Sequence, residues 1–407
     1  MKIHSLAAGT SLLSAAAISA AKNGLPVDKV YGVNLGSWLL TEPWMLPKEW
    51  VNKMGGETCD TDCSSCAASE FDLVRKLGQE KADQVFAEHW ATWFTEKDVD
   101  AIVAAGLNSD PHPLGYWIVE CLVDRSTEYY PRGGMKYLKK GLGWLKKKGI
   151  HVMLDHHALP GVATANQMFA GRCTSDVQFY TEKNYRRALI WAGIMTALTH
   201  IDPDFASVFA IEAINEPIMD ANLTPGYGDY QKRFVKVVRM VEYALGVDLF
   251  CLDRFQNRDW QFNNPPNPAD AAIGPQLYDA HLYFSFGGVA DANAESYMQV
   301  ICNTDRVKNA VAANNSPLVF GEWSLATNFN ASKEFLRDWS DAQRHIYAGQ
   351  ADGWFFWSFK IEEGSANLPN WSFFASRAAG YFSDDPSKLA NPDVCKPWIA
   401  KSTATAA

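Results

Sequence analysis

The sequence predicts an α/β protein built as a closed (β/α)8 barrel with elaborated loops, one domain over residues 22–407. Three observations lead there. Eight short apolar runs bounded by turn residues alternate with longer amphipathic stretches, which implies parallel βα units, and eight such units close into a barrel. Two of the runs end in a glutamate, at the strand ends where a barrel gathers its functional groups. The composition, 47% hydrophobic and 20% charged over 407 residues, is that of a globular chain. Barrels routinely exceed the ~150 residues of an average domain.

The elements follow in order. Tyr31–Asn34 reads as the first strand, and the amphipathic stretch Glu96–Ala105 leads into the second, Leu107–Leu114. Met135–Lys148 is a helix ending at Gly149; its lysines 139, 140 and 146–148 read as a solvated face, with cations favourable at a helix C-terminus. Ile150–Asp155 is the third strand, followed by a helix over Tyr185–Leu198 and a strand over Val208–Asn215. The helix Tyr230–Ala244 precedes the strand Leu249–Asp253. The Asn- and Pro-rich stretch Asn257–Gly274 is a loop before the sixth strand, Tyr278–Tyr283. Leu318–Glu322, the helix Lys333–Tyr347 and Trp354–Phe359 complete the pattern.

Residues 1–21 read as a signal peptide: Lys2, the apolar run Leu6–Ile18, and Ser19-Ala20-Ala21 as cleavage site. No stretch is long and apolar enough to span a membrane, so a secreted, extracellular or cell-wall protein is expected. The eight cysteines are then disulfide candidates, and 105 connectivities are open. Cys63 and Cys66 form a C-x-x-C that zinc uses elsewhere, but no second pair or histidine ligands lie nearby. Asn222-Leu-Thr, Asn330-Ala-Ser and Asn370-Trp-Ser are glycosylation acceptors, and Asn314-Asn-Ser, followed by Pro317, is a weaker one. The net charge of −9 argues against nucleic acid and leaves neutral sugars as substrates.

Two strand ends carry the chemistry. Phe209-Ala-Ile-Glu-Ala-Ile-Asn215-Glu216-Pro217 is an apolar run ending in a polar pair, and Leu318-Val-Phe-Gly-Glu322 ends in a carboxylate. At barrel positions four and seven both glutamates converge on the mouth. Paired carboxylates across a cleft suit glycosidic bond cleavage: one, protonated, donates to the leaving oxygen, and the other attacks the anomeric carbon.

These residues resemble glycoside hydrolase family 5, in the branch of fungal exo-β-1,3-glucanases and endo-β-1,6-glucanases. The resemblance rests on Gly32-Val-Asn-Leu-Gly-Ser-Trp38 with Glu42-Pro-Trp44, Leu154-Asp-His-His157 with Pro160-Gly161, and Asn215-Glu216-Pro217. Asp279-Ala-His281-Leu-Tyr283, Gly321-Glu322-Trp323 and Phe356-Trp357-Ser-Phe-Lys360 follow in the same order. The stretch Glu70–Gly161 is closer to the β-1,6 members. The resemblance implies a retaining enzyme on β-1,6- or β-1,3-linked fungal cell-wall glucan; a monomer without cofactor or metal is expected. It also implies Glu216 as acid/base and Glu322 as nucleophile, with Asn215 on the sugar 2-hydroxyl and His157 and Glu42 on other hydroxyls. His281 would neighbour the acid/base, Tyr283 the nucleophile, and Trp357 would floor the sugar site.

Some of these residues have structural readings. His156 and His157 at i, i+1 on a strand point to opposite faces, which sets them, with His151, against a metal site. His156 reads as core and His157 also fits a core histidine; Trp117, Trp323, Trp357 and Trp371 fit core as well.

One segment departs from the family. Asp110-Pro111-His112-Pro113 stands where the family reads "V-R-I-P", so the arginine that holds the nucleophile ionised is absent and a proline enters a central strand. Three readings follow: a catalytically impaired glucan-binding relative, another cation such as Arg125 in the arginine's place, or a splice or frame error in reading the gene over residues 109–112. The last is motivated by CCG CAT C, which contains CGC ATC, Arg-Ile, one nucleotide along.

Overall fold

Eight parallel strands close on themselves in sequence order. They are β1 (Val30–Val33), β2 (Ser109–Gly115), β3 (His151–Ala158), β4 (Val208–Glu212), β5 (Cys251–Phe255), β6 (Gln276–His281), β7 (Leu318–Glu322) and β8 (Gly353–Phe356). Closure is made by β1 lying in register with β8, Val30 opposite Gly353. The computed structural model describes residues 25–59, 63, 65–218, 220–248, 251–255 (by backbone alone), 275–313 and 315–399. The expected signal peptide, the loop 257–274 and the Asn314 acceptor lie outside the described residues.

The helices wrap the barrel: α1 (Glu70–Leu77), α2 (Gln79–Trp93), α3 (Glu96–Ala104), α4 (Gly134–Lys147), α5 (Glu182–Ile201), α6 (Tyr227–Leu245), α7 (Ala294–Cys302), α8 (Arg306–Ala312), α9 (Lys333–Tyr347) and α10 (Phe373–Ala378). Their starts follow side-chain capping chemistry. Ser69, Asn293 and Ser332 each accept a backbone N–H of the first turn, and Thr95 with Asp98 forms a capping box. The expected bounds of β7 and α9 coincide with the observed ones, whereas β4 and β8 stop three residues short of expectation. There the chain leaves the ladder to aim Asn215, Glu216 and Trp357 into the mouth. The lysines on and just after α4 are solvated as read, and the structure adds ion pairs, Lys139 to Asp202 at 2.8 Å and Lys148 to Asp100 at 2.6 Å.

Two apolar masses hold the barrel. Val30, Met153, Phe209, Leu277, Val319 and Phe355 plug its lower interior, and a larger cluster fills the space between strands and helices. Six cysteines pair as Cys59–Cys66, Cys63–Cys173 and Cys302–Cys395. Cys63 and Cys66 thus belong to different bridges, which removes the zinc alternative; of the other two disulfide candidates, Cys121 is free and exposed, and Cys251 is described by its backbone alone. Cys302–Cys395 and a buried Arg344–Asp341 ion pair tie down the C-terminal segment: Arg344 donates to Lys388 O at 2.9 Å and lies over the Phe382 ring. Asn222 and Asn330 are exposed as glycosylation acceptors must be, while the amide oxygen of Asn370 is buried.

Pro111 does not interrupt β2, contrary to expectation. The strand pairs with β3 from Ser109 to Gly115, and Pro111 O still accepts from Leu35 N at 3.0 Å. The missing N–H groups of Pro111 and Pro113 leave pairing to β1 at one position, Gly32 opposite Ser109. In register with Met153, which faces the interior, Pro111 also faces inward, so Asp110 and His112 face the helix layer. That layer is apolar: His112 packs against Trp38 and Phe94. Both Asp110 oxygens and both His112 nitrogens lack a hydrogen-bond partner, and burial drives Asp110 well above the carboxylate range and His112 down to about 3.

His112 Nε2 and Asp110 Oδ2 lie 3.9 Å apart, beyond hydrogen-bond reach, and buried polar groups without a hydrogen bond each destabilise by about 1–3 kcal/mol. Asp110→Val and His112→Ile are therefore expected to raise stability by that order apiece. Urea unfolding checks this, and a loss of stability in either variant would contradict the packing described.

Candidate active site

The upper ends of the strands open into one cleft of about 610 Å³. Each wall comes from a different strand, so local sequence dictates each group and only closure brings them together. β7 ends on Glu322, β4 is followed by Asn215 and Glu216, and His157 sits near the end of β3. β6 ends on His281 with Tyr283 two residues on, Trp357 follows β8, and Glu42 lies in the loop after β1. All eight expected site residues therefore meet.

Glu216 is held in an unusual backbone state, φ +38°, in the left-handed region. A non-glycine residue there is strained by about 1–3 kcal/mol, and such strain persists where neighbours over-determine it. Here Thr164 Oγ1 donates to Glu216 O at 2.9 Å, Asn215 N donates to His156 O at 3.2 Å, and Ile218 N to the Tyr180 hydroxyl at 2.8 Å. The strain turns the Glu216 side chain across the mouth toward β7.

The carboxyl groups meet around one imidazole. His281 Nδ1 donates to Glu216 Oε1 at 2.8 Å and lies 3.5 Å from Glu322 Oε2. The Tyr283 hydroxyl donates to Glu322 Oε2 at 2.7 Å. One oxygen of each glutamate and a nitrogen of His281 all fall within 4.8 Å of one another. That donor count would suit a cation; His281 and Tyr283 each donate one hydrogen bond to these oxygens, which leaves the two carboxyl groups close enough to be coupled through one proton. Glu216 is the more open, its side chain 31% exposed against 9% for Glu322, so it is the one that faces an incoming group.

Burial pushes Glu322 up to about 8, reinforced by the charge of Glu216 and opposed by His281, His157 and the Tyr283 hydrogen bond. For Glu216 burial also acts upward, but the His281 hydrogen bond and the charges of His281 and His157 outweigh it and hold the carboxyl below its ordinary value. The two titrate as a pair that carries one proton between a low step and a step near 8. Glu42 is buried, which raises its pKa, and accepts from Trp44 Nε1 at 2.8 Å.

The flanking groups sort themselves by side of the strand. His157 Nδ1 sits 2.6 Å from Asp155 Oδ2, and its ring lies nearly parallel to Trp357, 5.6 Å away. His156 points out of the barrel and stacks on Trp191 at 3.9 Å, and His151 lies at the opposite end of β3 beside Phe209, so the three histidines share no site. Trp323 and Trp117 are core, the latter stacked on Tyr130, whereas Trp371 joins Trp44 and Tyr283 at the cleft rim.

Arg125 is not the substitute cation: it donates to Tyr130 O and Gln79 Oε1, away from the cleft. Among the described residues neither Glu216 nor Glu322 pairs with lysine or arginine. Sequence reasoning assigned no role to Trp44, Phe169 or Phe286. The last is 77% exposed beside Gly287-Gly288, and a bare aromatic next to turn glycines was the available signal. Asp155 and Asp279 stood inside quoted motifs without a role.

The sequence profile of the Cellulase family, glycosyl hydrolase family 5, matches residues 74–363. The chain belongs to glycosyl hydrolase family 5. Glucan endo-1,6-beta-glucosidase B of Emericella nidulans is 33% identical over 404 residues, covering 96% of this chain and 93% of that one. A protein of Aspergillus fumigatus named probable glucan 1,3-beta-glucosidase A is 25% identical over 417 residues, covering 90% of each. Among solved structures, rutinosidase from Aspergillus niger superposes with a TM-score of 0.69 at 20% identity, over 88% of this chain and 99% of that one, a likeness of fold.

The shared proton sets the pH dependence of this family 5 hydrolase. Its site is competent with one proton on the pair, so kcat/KM for an aryl β-glucoside is expected to fall as pH rises through about 8, where that proton leaves. A profile still rising at about pH 9 would contradict the shared-proton site.

Proposed function

We propose that this chain is a secreted, retaining β-glucan hydrolase in which Glu216 is the acid/base and Glu322 the nucleophile. The observation that carries the reading is the short gap between the two carboxyl groups, with oxygens within 4.8 Å. Retaining enzymes set them ~5–5.5 Å apart, and inverting ones leave ~6.5–9.5 Å for a water. In the first step Glu322 attacks the anomeric carbon as the Glu216 proton passes to the departing oxygen; in the second Glu216 takes a proton from the water that releases the sugar.

The surroundings suit those roles. Glu42, His157 and Asn215 offer polar groups to sugar hydroxyls, His281 and Tyr283 hold the two carboxyl groups, and Trp357 gives an aromatic floor for the apolar face of glucose. A β-1,6 linkage is favoured over β-1,3, on 33% identity to the endo-1,6 relative against 25% to the 1,3 one. Three disulfides fit the oxidising route of a secreted protein. The cleft suits a glucan chain, and the protein is read as a monomer without cofactor.

A second reading, a glucan-binding relative with impaired catalysis, is favoured by one observation. Pro111 brings no cation to Glu322, whose raised pKa draws the shared proton onto the nucleophile.

Glu216→Gln and Glu322→Gln are expected to lower reducing-sugar release from β-1,6-glucan by about 10³-fold or more. With azide and an activated substrate, Glu322→Ala should yield the α-glycosyl azide and Glu216→Ala the β-glycosyl azide. A wild-type protein that retains insoluble glucan and releases no product would leave only the second reading.

A further inference from the structure

We propose that two imidazolium groups, His157 and His281, together supply the positive charge that favours the ionised form of Glu322 against its burial, and that Asp155 and Asp279 are the positioning residues that keep both rings protonated. This rests on Glu322 being the nucleophile.

The arrangement is a repeated one. Asp155-x-His157 lies on β3 and Asp279-x-His281 on β6. Residues i and i+2 of a strand share a face, so each aspartate sits directly below its histidine on the inner wall. Both aspartates are buried, 3% and 1% exposed, and both histidines line the same mouth.

Each ring is surrounded by acceptors. His281 presents Nδ1 to Glu216 and Glu322 and Nε2 to Asp279 Oδ2 at 3.5 Å. With carboxyl oxygens at both nitrogens, both carry hydrogen, which is the cation. His157 gives Nδ1 to Asp155, and its Nε2 lies 3.3 Å from the Asn215 amide nitrogen, while Asn215 Oδ1 lacks a partner. Turning that amide end for end gives Nε2–H an acceptor, and the two orientations have the same shape. His157 is then also a donor at both nitrogens.

Asp279 is seated for this task. Gly321 N donates to its Oδ1 at 2.7 Å, and a Cβ on Gly321 would lie 2.0 Å from its Oδ2. A glycine before Glu322 is therefore what admits the carboxylate beneath His281.

The charged groups facing the two rings are all acidic: Asp155, Glu42, Glu216 and Glu322 around His157, and Asp279, Glu216 and Glu322 around His281. From β2 the inward residues are Pro111 and Pro113. Burial alone would neutralise both histidines, yet the charge and hydrogen bond of Asp155 bring His157 to about 9, and Glu322, Asp279 and Glu216 hold His281 well above its ordinary value. In the reaction the rings stay protonated. The Glu322–C1 bond forms, the C1–O bond breaks, and the leaving oxygen takes its proton from Glu216.

The test is the pH profile of Asp155→Asn and Asp279→Asn on the aryl glucoside. Each is expected to lower kcat about tenfold or more at pH 8, with KM changed less than about threefold. The loss should shrink toward pH 5, where a ring that has lost its aspartate but keeps its glutamate neighbours is more readily protonated. No loss, or a loss equal at both pH values, would overturn the proposal. Ring ¹⁵N shifts of the unmutated protein give a second readout that needs neither activity nor a folded variant: both rings protonated at pH 8 is expected, and either ring neutral at pH 7 overturns it. The azide products separate this from the functional reading, since a missing α-glycosyl azide from Glu322→Ala with both rings protonated refutes the nucleophile alone.

Discussion

Three carboxyl groups, of Glu42, Glu216 and Glu322, line the mouth of this barrel with Asp155 and Asp279 beneath them, and no lysine or arginine among the described residues pairs with Glu216 or Glu322. In a buried site like charges repel strongly and are poorly hydrated, so they ionise only as far as protons and imidazoles allow. That constraint organises the rest. It makes Glu216 and Glu322 share one proton, it keeps Glu42 up in pKa, and it leaves His157 and His281 as the two groups able to carry compensating charge.

The barrel makes such crowding possible. Parallel strands of fixed register bring Glu322 opposite His281 and place inward side chains two residues apart on one wall. The helices and the apolar plug beneath hold those positions, and the strained backbone at Glu216 is kept by its neighbours' hydrogen bonds. Stability and site are thus separate layers: large apolar groups below and outside, acids and histidines at the rim.

β2 is where the two layers disagree. Its alternation puts polar Asp110 and His112 against Trp38 and Phe94 and turns a proline toward the carboxyl groups. A strand with the opposite assignment, apolar outward and cationic inward, would satisfy both surroundings at once.

Much of this was legible in the chain itself. The alternation of short apolar runs with amphipathic stretches determined the barrel, because each period demands its own secondary structure, and a carboxylate at the end of an apolar run marked Glu216 and Glu322. Strand ends, cysteine pairing and the roles of Asp155, Asp279 and Phe286 came only with the tertiary structure. The reason is physical. A charge state, a shared proton or an aromatic rim depends on neighbours contributed by other strands, and distance across a closed barrel is not written in the spacing along it. Trp371 and Trp323 look alike as residue types; only closure puts one at the rim and the other in the core.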